Sequence, residues 1–225
     1  LRNLRAVGLS LSAGLTVVAG RNGQGKSSLL EAVYLLATGR SFRTRRMEEL
    51  ISWAGGPLRV AGGVSSRLGR SQLKVVMDGS SRRLISDGAE VDLESFIGRL
   101  DVVDLTAERM NVLRGGPEER RRFLDRGVVG LQPSYLRALG EYRRVLQQRN
   151  ALLRGAGRTG APAQLAAWDE RLTVAAAEIH RRRREYAVLL GVELGEITRM
   201  LFPDGGTVTM LYRPSPKEVG EGGIA

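Results

Sequence analysis

The sequence predicts an α/β protein in two parts: a mixed head with an antiparallel β-subdomain, followed by a helical domain built as a hairpin. Three observations predict this class. Residues 20–27 are glycine-rich and lie between an apolar run and a helical pattern. Short β-type runs separated by Asp-Gly turns follow them. The second half of the chain carries two long helical patterns.

The glycine-rich segment GRNGQGKS fits the pattern G-x-x-x-x-G-K-[ST]. It follows Leu15–Ala19, which we predict to be a buried strand, and it precedes a helical pattern over 28–36. Its glycines would let successive N–H groups converge on an anion at the helix N-terminus. We therefore predict a phosphate-binding loop for ATP, in which Lys26 reaches the β- and γ-phosphates and Ser27 holds Mg²⁺. The predicted nucleotide contacts are Gly20, Arg21, Asn22, Gly23, Gln24, Gly25, Lys26, Ser27 and Ser28. A glycine-rich turn that binds nothing is the alternative.

Composition narrows the class of protein. The 225 residues include no cysteine, which excludes disulfides and thiolate metal sites, and one histidine, His180, which argues against a Ser-His-Asp triad or a histidine zinc site. No apolar run reaches the length of a membrane span, so we expect a cytoplasmic protein. The formal net charge of +11 favours a polyanionic partner, although a GC-rich genome would also enrich arginine.

The first half of the chain, residues 1–105, is predicted to be the head. After the helix ends near Gly39, three short runs are typical of strands, at Leu58–Ala61, Leu73–Met77 and Arg83–Ser86. The Asp-Gly pairs at 78–79 and 87–88 are hairpin signals, so the three runs predict an antiparallel meander. Residues 101–105 are predicted to form another buried strand.

Residues 106–202 are predicted to be a helical arm domain. Pro117, followed by two glutamates, is typical of a helix start, because proline needs no partner there and acidic residues favour the helix dipole. Longer helical patterns at 134–153 and 163–201 are parted by a glycine-rich loop, which predicts a helical hairpin that projects from the head. Residues 203–225, with a strand pattern at 207–212, are predicted to return to the head.

Several motifs together resemble the RecF family of bacterial recombination mediators, whose heads are similar to those of Rad50, the SMC proteins and the ABC ATPases. The resemblance extends from residue 2 to about 190 and is most specific outside the phosphate loop. The matching stretches are Arg2–Arg5, Gly20–Leu36 continuing into Gly39–Arg43, Gly116–Asp125, Tyr142–Leu153 and Trp168–Leu172.

The resemblance implies a phosphate-loop, ABC-ATPase-like head in which Asn3 and Arg5 lie beside the nucleotide. It implies an ATP-dependent homodimer that binds duplex DNA near single-strand gaps in recombinational repair and replication-fork maintenance, with RecR and RecO as partners. Arginine clusters without a base-reading motif favour contacts to backbone phosphates over base readout. The DNA-binding candidates are Arg40, Arg43, Arg45 and Arg46.

The sequence departs from the family pattern at its end. The Leu-Ser-x-Gly-Gln signature and the Walker B strand with its catalytic carboxylate are absent, and the chain does not begin with methionine. We therefore expect a piece of a longer protein, with the weak DNA-dependent ATPase of the full-length family incomplete in this chain. Asp101 and Asp104 offer an alternative Walker B interpretation. An ABC transporter ATPase subunit and a nucleotide-binding, DNA-binding fragment without hydrolysis remain alternative functions.

Overall fold

A computed structural model describes residues 1–11, 13–52, 55–66, 69–106, 110–155, 162–214, 218–219 and 223–224. They belong to two compact units, Leu1–Met110 and Asn111–Ala225. The elements of the first unit are α1 (Lys26–Thr38), a 3₁₀ turn (Met47–Leu50), β1 (Leu58–Ser66), β2 (Gly69–Asp78), β3 (Ser81–Ser86), β4 (Ala89–Val91) and α2 (Leu93–Phe96). Those of the second are α3 (Asn111–Arg114), α4 (Pro117–Leu131), α5 (Tyr135–Gly155), α6 (Pro162–Leu201), β5 (Glu218–Val219) and β6 (Gly223–Ile224). Among the helices in these ranges, none combines the length and apolar character that crossing a membrane requires.

The first unit contains the predicted antiparallel meander, with strand order β1-β2-β3-β4. In β2, the side chains of Leu73, Val75 and Met77 occupy alternate positions and are buried on one face of the sheet. The β3–β4 turn consists of Asp87 (φ 51°) and Gly88 (φ 86°), two positive φ values that aspartate tolerates and glycine adopts without strain. The Asp-Gly pair that predicted the hairpin is therefore the pair that forms its turn.

Helix α1 covers the buried face of this sheet. Leu36 packs against Gly62 of β1, where an added Cβ would lie 3.1 Å from the Leu36 Cδ1 atom. The helix ends at Gly39, whose φ of 64° is left-handed and whose N–H donates to the Leu35 carbonyl at 2.8 Å. The buried core comprises Leu35, Leu36, Leu50, Leu58, Leu73, Val75, Met77, Leu84 and Phe96. Through this core, the sheet fixes the direction of the helix that begins at the glycine-rich loop.

Three segments predicted as strands are irregular, and these predictions were wrong. Residues 15–19, 101–105 and 207–212 carry no strand assignment, and the side chains of Leu15 and Val103 are 90% and 96% exposed. A strand requires a neighbouring strand to satisfy its backbone hydrogen bonds, and the two sheets of the described residues do not include these segments. Residues 1–4 likewise form a turn, closed by a hydrogen bond from the Leu4 N–H to the Leu1 carbonyl.

The second unit contains the predicted helical hairpin. Helix α4 begins at Pro117, and α5 and α6 run antiparallel. Contacts between α5 and α6 show this direction: Arg149 pairs with Asp169, Glu141 with Arg171, and Ser134 accepts from Arg182. The predicted loop between the two helices lies largely outside the described residues, because only residues up to 155 and from 162 are described.

A buried polar cluster joins the three long helices of this unit. The Asp125 carboxylate of α4 accepts two hydrogen bonds from the Arg183 guanidinium of α6, at 2.7 and 2.8 Å. It also accepts one from the Tyr135 hydroxyl of α5 at 2.7 Å. Burial and the hydrogen bond to Asp125 raise the pKa of Tyr135, so the phenol stays a donor. Farther along the chain, the Tyr212 hydroxyl lies 2.6 Å from His180 Nδ1 and attaches the segment after α6 to that helix.

Candidate nucleotide-binding site

The glycine-rich segment forms a tight loop that leads directly into α1. Gly23 and Gly25 have φ values of 81° and 96°, in the left-handed region that other residues adopt at a cost. Gly25 is also the N-cap of α1, so the loop ends where the first N–H groups of the helix point outward without helical partners. This arrangement is the local geometry that an anion-binding loop requires.

Lys26 folds back over the loop. Its ammonium group donates to the carbonyls of Gly20 and Arg21, at 2.7 and 2.8 Å. The Gln24 side chain contributes to the same concavity, because its Oε1 atom accepts from the Arg21 N–H at 2.9 Å. The charged end of Lys26 therefore lies at the mouth of the loop, where a single cation can reach a ligand held by the backbone.

Asn3 reaches the loop from the start of the chain. Its Nδ2 atom donates to the Gly23 carbonyl at 2.6 Å, and its Oδ1 atom accepts from the buried Ser28 hydroxyl at 3.1 Å. Leu4 packs closely on Gly25, because a Cβ added at Gly25 would lie 2.5 Å from the Leu4 Cδ2 methyl group. Asn3 therefore contacts the glycine-rich loop, and its place beside a nucleotide remains a prediction. Arg5 is exposed two residues farther on.

The remaining residues that we predict to contact the nucleotide lie on the solvent-exposed side of the loop or at the start of α1. Arg21, Asn22 and Gln24 are exposed, and Ser27 lies in the first turn of α1. Within the described ranges, no group of three or more His, Cys, Asp or Glu side chains is arranged to hold a metal ion.

Glu31 is a buried carboxylate near the loop that the motif did not reveal. It lies one helical turn after Ser27, its side chain is fully buried, and it accepts from the Arg2 guanidinium at 2.6 and 3.0 Å. The Ser41 hydroxyl donates to it at 2.5 Å, and Arg43 Nη1 lies 3.6 Å from it. Burial alone would raise the pKa of Glu31, but the hydrogen bonds from Arg2 and Ser41 outweigh it and lower the pKa. A lone carboxylate inside the apolar pattern of a buried helix was the signal available in the sequence.

The Glu31 cluster fixes two segments on α1. Arg2 also donates its backbone N–H to the Leu50 carbonyl at 2.8 Å, so it ties the start of the chain to the core. The Ser41 hydroxyl accepts from the backbone N–H groups of Arg43 and Thr44, at 2.9 and 3.1 Å. Asn3 and the arginine-rich segment 40–46 are therefore both positioned by one buried carboxylate.

The DNA-binding candidates do not share one environment. Arg43 pairs with Glu31 and its side chain is 43% exposed, so part of its charge is neutralised inside the protein. Arg40, Arg45 and Arg46 are exposed, and none of them forms an ion pair with a described residue. Three of the four candidates thus have no ion-pair partner in the part of the chain that the structure describes.

The arginine clusters of the helical unit are largely neutralised. Arg181 pairs with Glu178 and Glu185, and Arg182 also pairs with Glu178. Arg183 is bound to Asp125, and Arg122 pairs with Glu118 and Glu119 in the first turn of α4. Acidic residues on the same or a neighbouring helix therefore pair with these arginines, a pairing that the net charge does not reveal.

Two aromatic residues of this unit are partly buried against a hydrophobic cluster. Tyr142 and Tyr186 pack against the cluster of Val128, Tyr135, Leu139 and Ile179. Trp168 lies under the Arg171 guanidinium, 5.2 Å from the ring centroid.

The fold and the loop define a class of protein: an α/β, phosphate-loop ATPase head of the ABC type, joined to a helical domain. Residues 1–97 match the family described as "AAA domain". A solved structure described as the recombination mediator protein RecF with ATP, in the RecFOR pathway, matches with a TM-score of 0.83 and 28% identity, over 89% of this chain and 55% of that one.

The chain is similar to RecF proteins over most of its length. It is 42% identical over 184 residues to the DNA replication and repair protein RecF of Myxococcus xanthus, covering 81% of this chain and 48% of that protein. It is 37% identical over 213 residues to RecF of Citrifermentans bemidjiense, covering 94% of this chain and 57% of that protein. The chain thus spans about half the length of the curated relatives that it matches.

Proposed function

We propose that this chain is the nucleotide-binding head and helical arm of a RecF-type protein, and that it binds ATP through residues 20–28 with Asn3 and Arg5. The observation that carries the proposal is the position of Lys26, whose ammonium group is held at the mouth of the loop by two loop carbonyls. The similarity to a solved relative described with ATP supports it.

A triphosphate would replace contacts that the loop now makes with itself. The Lys26 ammonium would exchange its two carbonyls for β- and γ-phosphate oxygens, which are stronger acceptors because they are charged. The loop N–H groups and the N-terminus of α1 would supply the remaining donors. Asn3 would hold the loop in shape through the Gly23 carbonyl, and Ser27 would ligate Mg²⁺ together with the phosphates.

Calorimetric titration of ATP tests this assignment. Lys26→Ala should abolish measurable binding, because no other lysine lies in the loop, while the circular dichroism spectrum stays unchanged. Lys74→Ala is the matched control, since it removes the same charge from the outer face of the β2 strand. Ser27→Ala should remove the Mg²⁺ dependence of binding and Ser27→Thr should retain it. Equal ATP affinity for the Lys26 and Lys74 variants would refute the proposal.

We also propose that the head binds duplex and gapped DNA through backbone phosphates, in recombinational repair and replication-fork maintenance. Arg40, Arg45 and Arg46 support this, because they are exposed and no described carboxylate pairs with them. Arg43 would contribute the exposed part of its guanidinium. Contacts to phosphates alone would make the binding insensitive to base sequence.

A fluorescence-anisotropy salt titration on two unrelated duplexes tests DNA binding. Replacing Arg43, Arg45 and Arg46 with alanine should reduce the slope of log affinity against log salt by about 0.9 for each phosphate that the variant no longer binds. Replacing Arg59, Arg70 and Arg83 is the control, because it removes an equal charge from the strands of the sheet. An equal loss of slope in both triple variants would contradict the assignment to segment 40–46, and a strong preference for one duplex would contradict backbone recognition.

Dimerisation gated by ATP is the remaining part of the proposal. Arg21, Asn22 and Gln24 leave the outer side of the loop exposed, so a bound γ-phosphate would stay accessible to a second subunit. Hydrolysis of ATP would release the γ-phosphate and so remove the anion that joins the two subunits. Light scattering of the whole protein with a non-hydrolysable ATP analogue should show a dimer that Lys26→Ala does not form. RecR and RecO are the proposed protein partners of that dimer.

A further inference from the structure

A shallow cavity of about 380 Å³, widely open to solvent, lies in the first unit on the face of the sheet that carries Met77. It is bounded by the 3₁₀ turn, by the end of β2 and by the start of β3. Its lining consists of Arg45, Met47, Glu48, Met77, Ser80 and Arg82. Two of these six side chains are guanidinium groups, which is unusual for a cavity beside an apolar core.

Arg82 occupies a position that the strand pattern assigns to the core. In the register of the sheet it lies opposite Met77, which in turn lies opposite Leu58, and both of these are buried. A guanidinium on this face must be partly desolvated, and burial together with the nearby charge of Arg40 lowers the pKa of Arg82. Such a position is unfavourable unless the charge has partners.

One partner of Arg82 is a backbone carbonyl. Its Nη1 atom donates to the Gly39 carbonyl at 2.7 Å, so it caps the C-terminus of α1, where a cation is favourable. A guanidinium has five N–H donors, and this contact uses one of them. Among the described side chains, no buried nitrogen or oxygen lacks a hydrogen-bond partner, so the other donors of Arg82 reach accessible space. The cavity that Arg82 lines provides that space.

Positive charge exceeds negative charge in the lining of the cavity, where Arg45 and Arg82 accompany the acidic residue Glu48. No ion pair within the described residues joins Arg40, Arg45 or Arg82 to an acidic side chain, and Glu48 on the rim is exposed. Ser80, in the β2–β3 turn, adds a hydroxyl group to the same lining. The cavity therefore combines two guanidinium groups with a hydroxyl donor. This combination fits an oxyanion with several acceptor oxygens.

This cavity is separate from the phosphate loop. The loop leads into the first residue of α1, whereas Arg82 binds the residue that follows its last turn. Thirteen residues at a rise of 1.5 Å make the helix about 20 Å long. A phosphate in the cavity would therefore be a different phosphate from those of a nucleotide on the loop.

We propose that the cavity lined by Arg45, Ser80 and Arg82 is a phosphoryl-binding pocket, and that its occupant is a backbone phosphate of duplex DNA. The second part rests on the DNA binding proposed above, since Arg40, Arg45 and Arg46 belong to that surface. Arg82 anchors the phosphate from the cavity wall, and Arg45 approaches it from the rim. The pocket fixes the position of the DNA backbone on the head, which exposed arginines alone would leave variable.

Arg82→Gln tests the pocket, with Arg83→Gln as its control. Glutamine keeps an amide donor for the Gly39 carbonyl, but it removes the positive charge and the paired N–H donors of the guanidinium group. Arg83 is the adjacent residue on the opposite face of the sheet, opposite Val76, so its replacement removes the same charge outside the cavity. Thermal unfolding of both variants without ligand, compared with the parent protein, checks that the fold is retained.

The first readout is affinity for a fluorescent duplex as a function of salt. Removing one bound phosphate reduces the log–log slope by about 0.9. As the salt concentration falls from about 1 M to about 0.15 M, the affinity of Arg82→Gln should therefore rise about fivefold less than that of the parent protein. Arg83→Gln should leave the slope unchanged. Equal changes in the two variants, or no change in Arg82→Gln, would overturn DNA phosphate as the occupant, whether or not the triple variant of segment 40–46 loses its slope.

The second readout is inorganic phosphate itself, in a Lys26→Ala background that disables the phosphate loop. Sodium phosphate, compared with sodium chloride at matched ionic strength, should raise the melting temperature of this protein and of its Arg83→Gln derivative, but not that of its Arg82→Gln derivative. The same response in all three proteins would overturn the pocket. A selective phosphate response without a selective DNA effect would show that the pocket takes a free phosphoryl ligand, and would overturn the DNA assignment alone. This readout does not depend on DNA binding, so it separates failure of the pocket from failure of the proposed function.

Discussion

Replacing Glu31 with glutamine removes the charge at the centre of the cluster that positions both Asn3 and segment 40–46. The Glu31 side chain is 0% exposed and accepts two hydrogen bonds from Arg2, whose side chain is 24% exposed. Breaking a fully buried ion pair costs about 3–5 kcal/mol, and because Arg2 is partly solvated and glutamine keeps one acceptor, we expect about 2 kcal/mol here. That amount is a large fraction of the stability of a unit of this size.

Urea unfolding followed by circular dichroism measures this loss. Glu90→Gln is the control, because Glu90 is exposed on the short β4 strand and should cost less than about 0.5 kcal/mol. We also expect Glu31→Gln to weaken ATP binding, since Arg2 is next to Asn3 and Asn3 holds the loop. A loss below about 0.5 kcal/mol for Glu31→Gln would refute the view that this buried pair stabilises the head.

The pH dependence gives a second check on the same residue. The pKa of Glu31 in the folded protein is lower than its ordinary value of 4.5, so the unfolded chain binds the proton more readily. The carboxylate therefore stabilises the fold fully above pH 4.5, and this contribution disappears as the pH falls from 4.5 through the folded-state pKa. The difference in unfolding free energy between the parent protein and Glu31→Gln should be constant near neutral pH and shrink in that acid range. A difference that grows as the pH falls would contradict the assigned direction.

Two further predictions concern the helical unit. Gly127→Ala should destabilise it by about 1–3 kcal/mol, because the new Cβ would lie within 2.1–2.4 Å of the Tyr186 ring, whereas Gly130→Ala on the same helix has open space and should be neutral or stabilising. Thermal unfolding distinguishes them, and equal effects would contradict the packing of Tyr186. Asp125→Asn should lower the melting temperature and weaken the protection of α6 in hydrogen exchange, because it leaves the largely buried Arg183 guanidinium without its carboxylate. Unchanged protection would show that this cluster does not hold the helices together.

Much of the fold could be predicted because its determinants are close together in the chain. The phosphate loop was predicted from eight consecutive residues, and Gly23 and Gly25 in it adopt left-handed φ values of 81° and 96°. Asp87-Gly88 predicted a hairpin because those two residue types form that turn. Pro117 and the apolar periodicity predicted the helices of the second unit. Resemblance to the RecF family correctly linked these elements.

The wrong predictions share a physical cause. The apolar segments at 15–19 and 101–105 have the composition of buried strands, but a strand also needs a hydrogen-bonded neighbour, and composition does not provide one. The net charge likewise did not show that Arg181 and Arg182 pair with Glu178 on the same helix. In each case the missing information was the identity of a partner.

The sequence by itself therefore determined the loop, its lysine, the hairpin turns and the helices, because each depends on residues within a few positions of one another. Only the tertiary structure brought Arg2 to Glu31, across 29 positions, and Arg183 to Asp125, across 58. It also placed Arg82 on the core-facing side of the sheet beside the Gly39 carbonyl, 43 positions away. Such pairings depend on how α1 packs on the sheet and how α4 packs on α6, and this packing arises from the whole core rather than from any local pattern.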